Sequence, residues 1–202
     1  MDVPSGHSRS VLGHDVAMSS VARDAFLQRF RWLDGHADVW RAFEDGPTLR
    51  TVISGLAAPW ARSGITRVVG IESRGFLLGG AVAMHLGIGF QAVRKAGALF
   101  PGRLQTAVSD PDYRGRTHSL SIQDTLSDRD VVLMVDDWAE TGSQARAVRT
   151  LVERRGARFA GLTVIVDQLE PATRLNLGRV TSLVIAADLG DPDDPSGTPA
   201  TD

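Results

Sequence analysis

Cysteine is absent, which excludes disulfides, thiolate metal sites and a cysteine nucleophile. Lysine is nearly absent: of 22 basic residues, 21 are arginine and one is Lys95. A lone lysine in so arginine-rich a chain draws attention to its position. Tyr113 is the only tyrosine. No apolar run approaches the ~20 residues that a membrane-spanning helix needs. The opening residues show no basic stretch followed by an apolar one, so no signal peptide is expected. The formal net charge is −2, which supplies no basic field for nucleic acid. These absences lead to the expectation of a soluble, cytoplasmic protein that engages neither membrane nor nucleic acid.

What is present suits one domain. The chain has 202 residues, 43 % hydrophobic and 23 % charged, enough apolar material to close a core without staples. Residues 190–202 are rich in Pro, Asp, Gly and Thr and read as a disordered tail. Residues 1–15 read similarly. The domain is expected over 16–189, with no internal repeat.

Within it, helical and strand patterns alternate. Residues 16–30 and 47–62 read as helices, the second with Leu49, Val52, Ile53, Leu56 and Trp60 at helical spacing. Residues 67–71 read as a buried strand, 76–86 as a helix and 90–94 as a second strand. Residues 95–116 are long, polar and without a period, and 117–122 alternate as an exposed strand does. Residues 131–135 (VVLMV) give the strongest strand signal. A helix over 143–155 and strands over 159–166 and 180–186 follow. Such alternation predicts an α/β fold with a mainly parallel central sheet flanked by helices. Ligands in these folds sit at the carboxyl ends of the strands, which here directs attention to residues 72–74, 94–95 and 136–144.

The run VVLMVDDWAETGSQARAV carries the most chemistry. Its buried strand ends in Asp136 and Asp137, and a short polar loop, Ala139–Gln144, feeds a helix. A helix N-terminus offers unpaired N–H groups and a positive dipole end to an anion. Thr141, Gly142 and Ser143 are small enough for close approach, and two of them add hydroxyls. The acids suit ribose hydroxyls or magnesium-bound waters. The plainer reading is a strand end followed by a Ser143 helix cap. Neither a Walker-A loop nor a dinucleotide fingerprint occurs.

This run resembles the phosphoribosyl-pyrophosphate (PRPP) motif of the type I phosphoribosyltransferases. The segment from Val68 to Gly97, VVGIESRGFLLGGAVAMHLGIGFQAVRKAG, is similar to the adenine-specific enzymes of that family, with its pieces in the family's order. The resemblance covers roughly residues 47–169. It implies the type I phosphoribosyltransferase fold, with residues 16–46 as a small hood and residues 100–116 as a flexible lid loop. It implies transfer of the phosphoribosyl group of PRPP to a purine, adenine or a close relative, with release of pyrophosphate. Magnesium as cofactor and a homodimer are implied too.

Residue by residue, the resemblance implies that Asp136 and Asp137 hold the ribose hydroxyls and, indirectly, the metal. Ala139, Glu140, Thr141, Gly142, Ser143 and Gln144 hold the 5′-phosphate. Ser73, Arg74, Gly75, Arg94 and Lys95 face pyrophosphate, with the Glu72–Ser73 peptide in the cis form. Arg74 is open to a second role, as ion-pair partner of Glu72. Relatives often carry a further lysine where this chain has Ala98. Candidates for handling the base proton are Asp112, paired with Tyr113 in the lid, and Glu140, at a position where adenine enzymes usually have alanine. The family's N-terminal base-binding motif is not recognisable here. Trp32, His36 and Trp40 are the candidates for the base, with core anchoring as the alternative for the two tryptophans. Two other functions stay open on sequence: a PRPP-binding regulator without transferase activity, and a transferase for a non-adenine or modified base.

Overall fold

The computed structural model describes residues 20–192 except 98 and 113. Both expected disordered ends lie largely outside the described residues, as do Ala98 and Tyr113. A seven-stranded sheet runs through the domain in the order β5-β6-β4-β3-β7-β8-β9. Its strands are β3 (Arg67–Ile71), β4 (Gly89–Lys95), β5 (Leu104–Val108), β6 (Ser119–Gln123), β7 (Val131–Ala139), β8 (Arg158–Asp167) and β9 (Val180–Ile185). Five are parallel, β4-β3-β7-β8-β9, while β6 joins β4 antiparallel and β5 joins β6 antiparallel.

The strand sequences explain the layers. Along β7, Leu133 and Val135 join one apolar cluster with Phe26, Leu56, Trp60 and Leu78. Val132 and Met134 join the other, with Ile122, Leu151 and Leu162. Side chains alternate between faces, so a continuous apolar run marks a strand covered on both sides. Helices α1 (residues 20–29), α3 (Gly46–Ala57) and α4 (Arg74–Leu86) cover the first face, and α5 (Ser143–Glu153) the second. Asp45 caps α3, accepting from Thr48 N at 2.9 Å, with Pro47 in the first turn. Gly87, in the left-handed conformation, ends α4.

Two segments differ from the sequence expectation. Residues 100–116 are not one loop, because β5 lies inside them. Only Ala107 of β5 is buried, so the strand has no apolar alternation to announce it. It is held by backbone pairing to β6. The segment 31–38 forms a hairpin of β1 (Arg31–Leu33) and β2 (His36–Asp38). Asp34 and Gly35 turn it with positive φ angles of 49° and 71°, the Asp-Gly chemistry of a tight hairpin. The remaining elements are short: α2 (Arg41–Glu44) and α6 (Pro171–Leu177). Among the described residues no helix is long and apolar enough to cross a membrane.

Candidate active site

A cleft of about 670 Å³ opens where β3, β4, β7 and β8 end. Three local devices build its floor and walls.

The first is the turn from β3 into α4. Gly70 and Gly75 approach so closely that a Cβ on Gly70 would lie 2.0 Å from the Gly75 carbonyl oxygen. A Cβ on Gly75 would lie 3.1 Å from Asp136 Oδ1. Two glycines thus let the turn fold down onto the acid at the end of β7. The Glu72–Ser73 peptide within this turn is cis. Arg74, at the start of α4, places Nη1 2.9 Å from Asp137 Oδ2. Its partner is therefore Asp137. Glu72 pairs instead with Arg94, Nε to Oε2 at 3.0 Å, and accepts from Lys95 N at 2.7 Å. Arg94 also donates to the Leu99 carbonyl.

The second is the end of β7 and the loop into α5. Asp137 is 5 % exposed, and its buried Oδ2 has no partner in hydrogen-bond geometry, so its attraction to Arg74 is purely Coulombic. Burial, reinforced by the Asp137 carboxylate, holds the Asp136 pKa well above the usual carboxylate range. The α5 helix starts at Gly142, φ 69°, with no side-chain cap, so Ser143 is not the cap. Instead Thr141 Oγ1 donates to Ser143 Oγ at 3.0 Å. A Cβ on Gly142 would meet Thr173 of α6 at 2.7 Å. The loop is thereby clamped from behind by α6. That helix is in turn tied to the end of β8 by the Arg174–Asp167 ion pair. Arg146 of α5 donates to the Thr141 carbonyl and to Asp110, linking this loop to the segment after β5.

The third is the rim. Between β5 and β6 the chain makes a turn around Asp112, whose Oδ1 accepts from Arg114 N and Arg116 N, each at 2.9 Å. Its Oδ2 lies 2.9 Å from His118 Nε2. These hydrogen bonds, His118 foremost, hold the Asp112 pKa low, so it stays ionised. Glu140 behaves oppositely: burial, then the negative charge of Asp112, raises its pKa, partly offset by Arg114. The far wall is aromatic. Trp32 of β1 meets Trp138 of β7 edge-on, ring centroids 6.3 Å apart.

Most sequence-derived candidates line this one cleft: Trp32, His36, Ser73, Arg74, Lys95, Asp112, and the residues of 136–144. Three do not. Gly75 lies beneath Asp136, and Arg94 is committed to Glu72 and Leu99. Trp40 is half exposed and rests on Phe43, 5.6 Å between centroids. Tyr113 falls outside the described residues. The sequence reading also missed lining residues. Trp138 stands inside the very motif that was singled out, and Gln168 follows β8. The Asp34–Gly35 pair was the signal that would have brought Trp32 and His36 to one hairpin end.

Comparison with known proteins agrees with this geometry. Residues 39–180 match the phosphoribosyl transferase domain. An adenine phosphoribosyltransferase of Maricaulis maris is 40 % identical over 152 residues, covering 74 % of this chain and 86 % of that protein. Another, from Rhodococcus opacus, is 36 % identical, covering 82 % of this chain and 97 % of that one. Among solved structures, adenine phosphoribosyltransferase from Rhodothermus marinus superposes with a TM-score of 0.72 at 31 % identity. It is covered to 98 % by 82 % of this chain. The Giardia lamblia enzyme, solved with 9-deazaadenine, gives 0.66 at 33 % identity, over 74 % of this chain and 86 % of that one. With the domain match spanning residues 39–180 and relatives at 36–40 % identity over most of its length, the chain belongs to the phosphoribosyl transferase domain family and is a pentosyltransferase.

Proposed function

We propose that this protein transfers the phosphoribosyl group of PRPP to adenine and releases pyrophosphate. The observation that carries the reading is convergence: the Asp136–Asp137 pair, the loop at the start of α5, two cations and an aromatic wall share one cleft. Adenine is the base named for the relatives reported above, on both sequence and structure. A regulator without catalysis is not favoured by that company.

In this reading the acids Asp136 and Asp137 receive the ribose hydroxyls. Loop N–H groups and the Thr141 and Ser143 hydroxyls receive the 5′-phosphate, aided by the helix dipole. Lys95 and Arg74 face the pyrophosphate, and Arg94 acts through Glu72 to fix the Lys95 backbone. The base nitrogen attacks the anomeric carbon as the bond to pyrophosphate breaks, and the leaving group carries away the electron pair. Cations near that oxygen stabilise the charge it gains. Magnesium fits the donor set in one way only. Among the described residues no group of three or more potential ligands stands ready to hold a metal, so an ion would rest on one or two carboxylates plus substrate oxygens, as magnesium commonly does. Asp136 and Asp137 are the residues that would hold it, through water or through the ribose. Such an ion neutralises phosphate charge. The protein is proposed to work as a cytoplasmic homodimer.

The proton released by the base goes to Glu140. Asp112 is tied into its turn through both carboxylate oxygens and held ionised. Glu140 has the raised pKa that suits a proton acceptor. It acts in its ionised form, so activity falls as pH drops through its elevated pKa. Glu140→Gln is expected to lower kcat about a hundredfold and remove this acid limb. Asp112→Asn takes away a neighbouring negative charge and is expected to move the limb to lower pH. A pH profile of kcat for the three proteins checks both; an unchanged limb in Glu140→Gln gives the proton to another group.

The function itself is tested by pyrophosphate release from PRPP and Mg²⁺ with adenine, hypoxanthine, guanine and xanthine supplied separately. AMP formation with adenine is the expected outcome. Absence of release with every one of these bases, under conditions where PRPP binds, overturns the reading.

A further inference from the structure

The two cleft tryptophans spend their N–H groups inside the protein. Trp32 Nε1 donates to the Leu189 carbonyl at 2.9 Å, and Trp138 Nε1 donates to Gln168 Oε1 at 2.9 Å. The second bond fixes more than a ring. An indole N–H can only donate, so the Gln168 carboxamide must turn its oxygen to Trp138. Its NH₂ group is then directed away from the indole, with two donors and no acceptor. Gln168 is exposed and lines the cleft. Its backbone is fixed as well: Gln168 N donates to the Ala139 carbonyl, and Asp167 Oδ1 accepts from Leu169 N. The result is an oriented donor on a rigid strand end, beside the aromatic wall.

We infer that Gln168, oriented by Trp138, is a specificity-determining residue for the base: its carboxamide N–H donates to N1 of adenine. The inference rests on the transferase reading above. The chemistry explains the discrimination. Adenine carries the acceptor nitrogens N1, N3 and N7, and its exocyclic group only donates. A fixed donor rewards an acceptor and is left unpaired by a C–H or N–H at the same place. In 6-oxopurines N1 carries a hydrogen, so a base-edge donor facing that position rejects them. A freely rotating carboxamide would offer either its oxygen or its nitrogen and would discriminate little. Trp138 therefore acts as the positioning residue and Gln168 as the reader.

The test uses 1-deaza-, 3-deaza- and 7-deazaadenine, each lacking one acceptor. Wild-type protein is expected to lose about tenfold in kcat/KM with 1-deazaadenine, and a loss confined to the 3-deaza or 7-deaza analogue overturns the specificity role. In Gln168→Leu 1-deazaadenine and adenine become equal, while the KM for PRPP stays unchanged. Trp138→Phe keeps an aromatic ring but removes the N–H, so the same penalty shrinks while Gln168 remains. Deaza penalties that are identical in wild type and Gln168→Leu overturn the inference. Base binding, followed by the fluorescence of the cleft tryptophans, separates this from the function itself. A wild type that binds these bases without turning any over sinks the transferase reading. Equal affinities for all of them in wild type and Gln168→Leu sink the role of Gln168.

Discussion

Asp137→Asn is expected to cut turnover by about a hundredfold or more while leaving the fold intact. The substitution keeps shape and volume, so the buried position is filled as before. What changes is charge. Asp137 stands with Arg74 Nη1 2.9 Å from its Oδ2 and with Asp136 beside it in the chain. Losing the carboxylate leaves the Arg74 cation without its anion, but Arg74 is about one-third exposed, so water solvates the freed cation and the loss is held to about 1 kcal/mol. Relief of the Asp136–Asp137 repulsion offsets part of even that. Turnover has no such compensation in the proposed mechanism, because the neutral amide lacks the charge that strengthens hydrogen bonds from ribose hydroxyls. The pair of measurements is kcat for AMP formation and a thermal melt by circular dichroism. Near-normal kcat in a folded variant would remove Asp137 from the substrate site.

Gly70→Ala is expected to be severely damaging for the addition of a single methyl group. The new Cβ would lie 2.0 Å from the Gly75 carbonyl oxygen and 2.6 Å from its carbon. Both are backbone atoms at the start of α4, so no side chain can rotate away. Either β3 or the helix must move. Overpacking that forces backbone shifts costs roughly 3 kcal/mol or more, which for a domain of this size lowers Tm by about 6–12 °C. Activity should fall further than stability explains. The displaced turn carries Ser73 and Arg74, and Gly75 supports Asp136 from below. Misplacement by about 1 Å at such a site costs on the order of a hundredfold in rate. Gly80→Ala in the same helix is the control: nothing lies within 4 Å of its Cβ position. That change is expected to leave activity intact and to raise stability by about 0.5–1 kcal/mol. Equal melting temperatures for the two variants would contradict the close approach of β3 and α4.

Much of this was legible in the sequence because it follows from local chemistry. VVLMV reads as a strand with both faces covered, since a short, β-branched-rich apolar run bounded by polar residues suits a strand buried on both sides. The two acids and the small-residue loop had to stand at that strand's end, next to a helix start. Lys95 came to notice through composition alone. Other features depend on partners far away in the chain. β5 has one buried residue and exists because β6 offers it backbone hydrogen bonds. Nothing in residues 104–108 records that offer.

The site divides in the same way. The sequence by itself determined the acids, the small-residue loop into α5 and the alternating architecture, because strand burial, helix starts and turn residues act over a few positions. Tertiary structure alone decided the partners. Arg74 meets Asp137 across 63 positions while Glu72 goes to Arg94. Trp138 meets both Trp32 and Gln168. It also separated the two carboxylates, pinning Asp112 through His118 and lifting Glu140 by burial. Charge pairing, desolvation and the orientation of an amide are set by distances through space, and the order of residues along the chain carries no record of those distances.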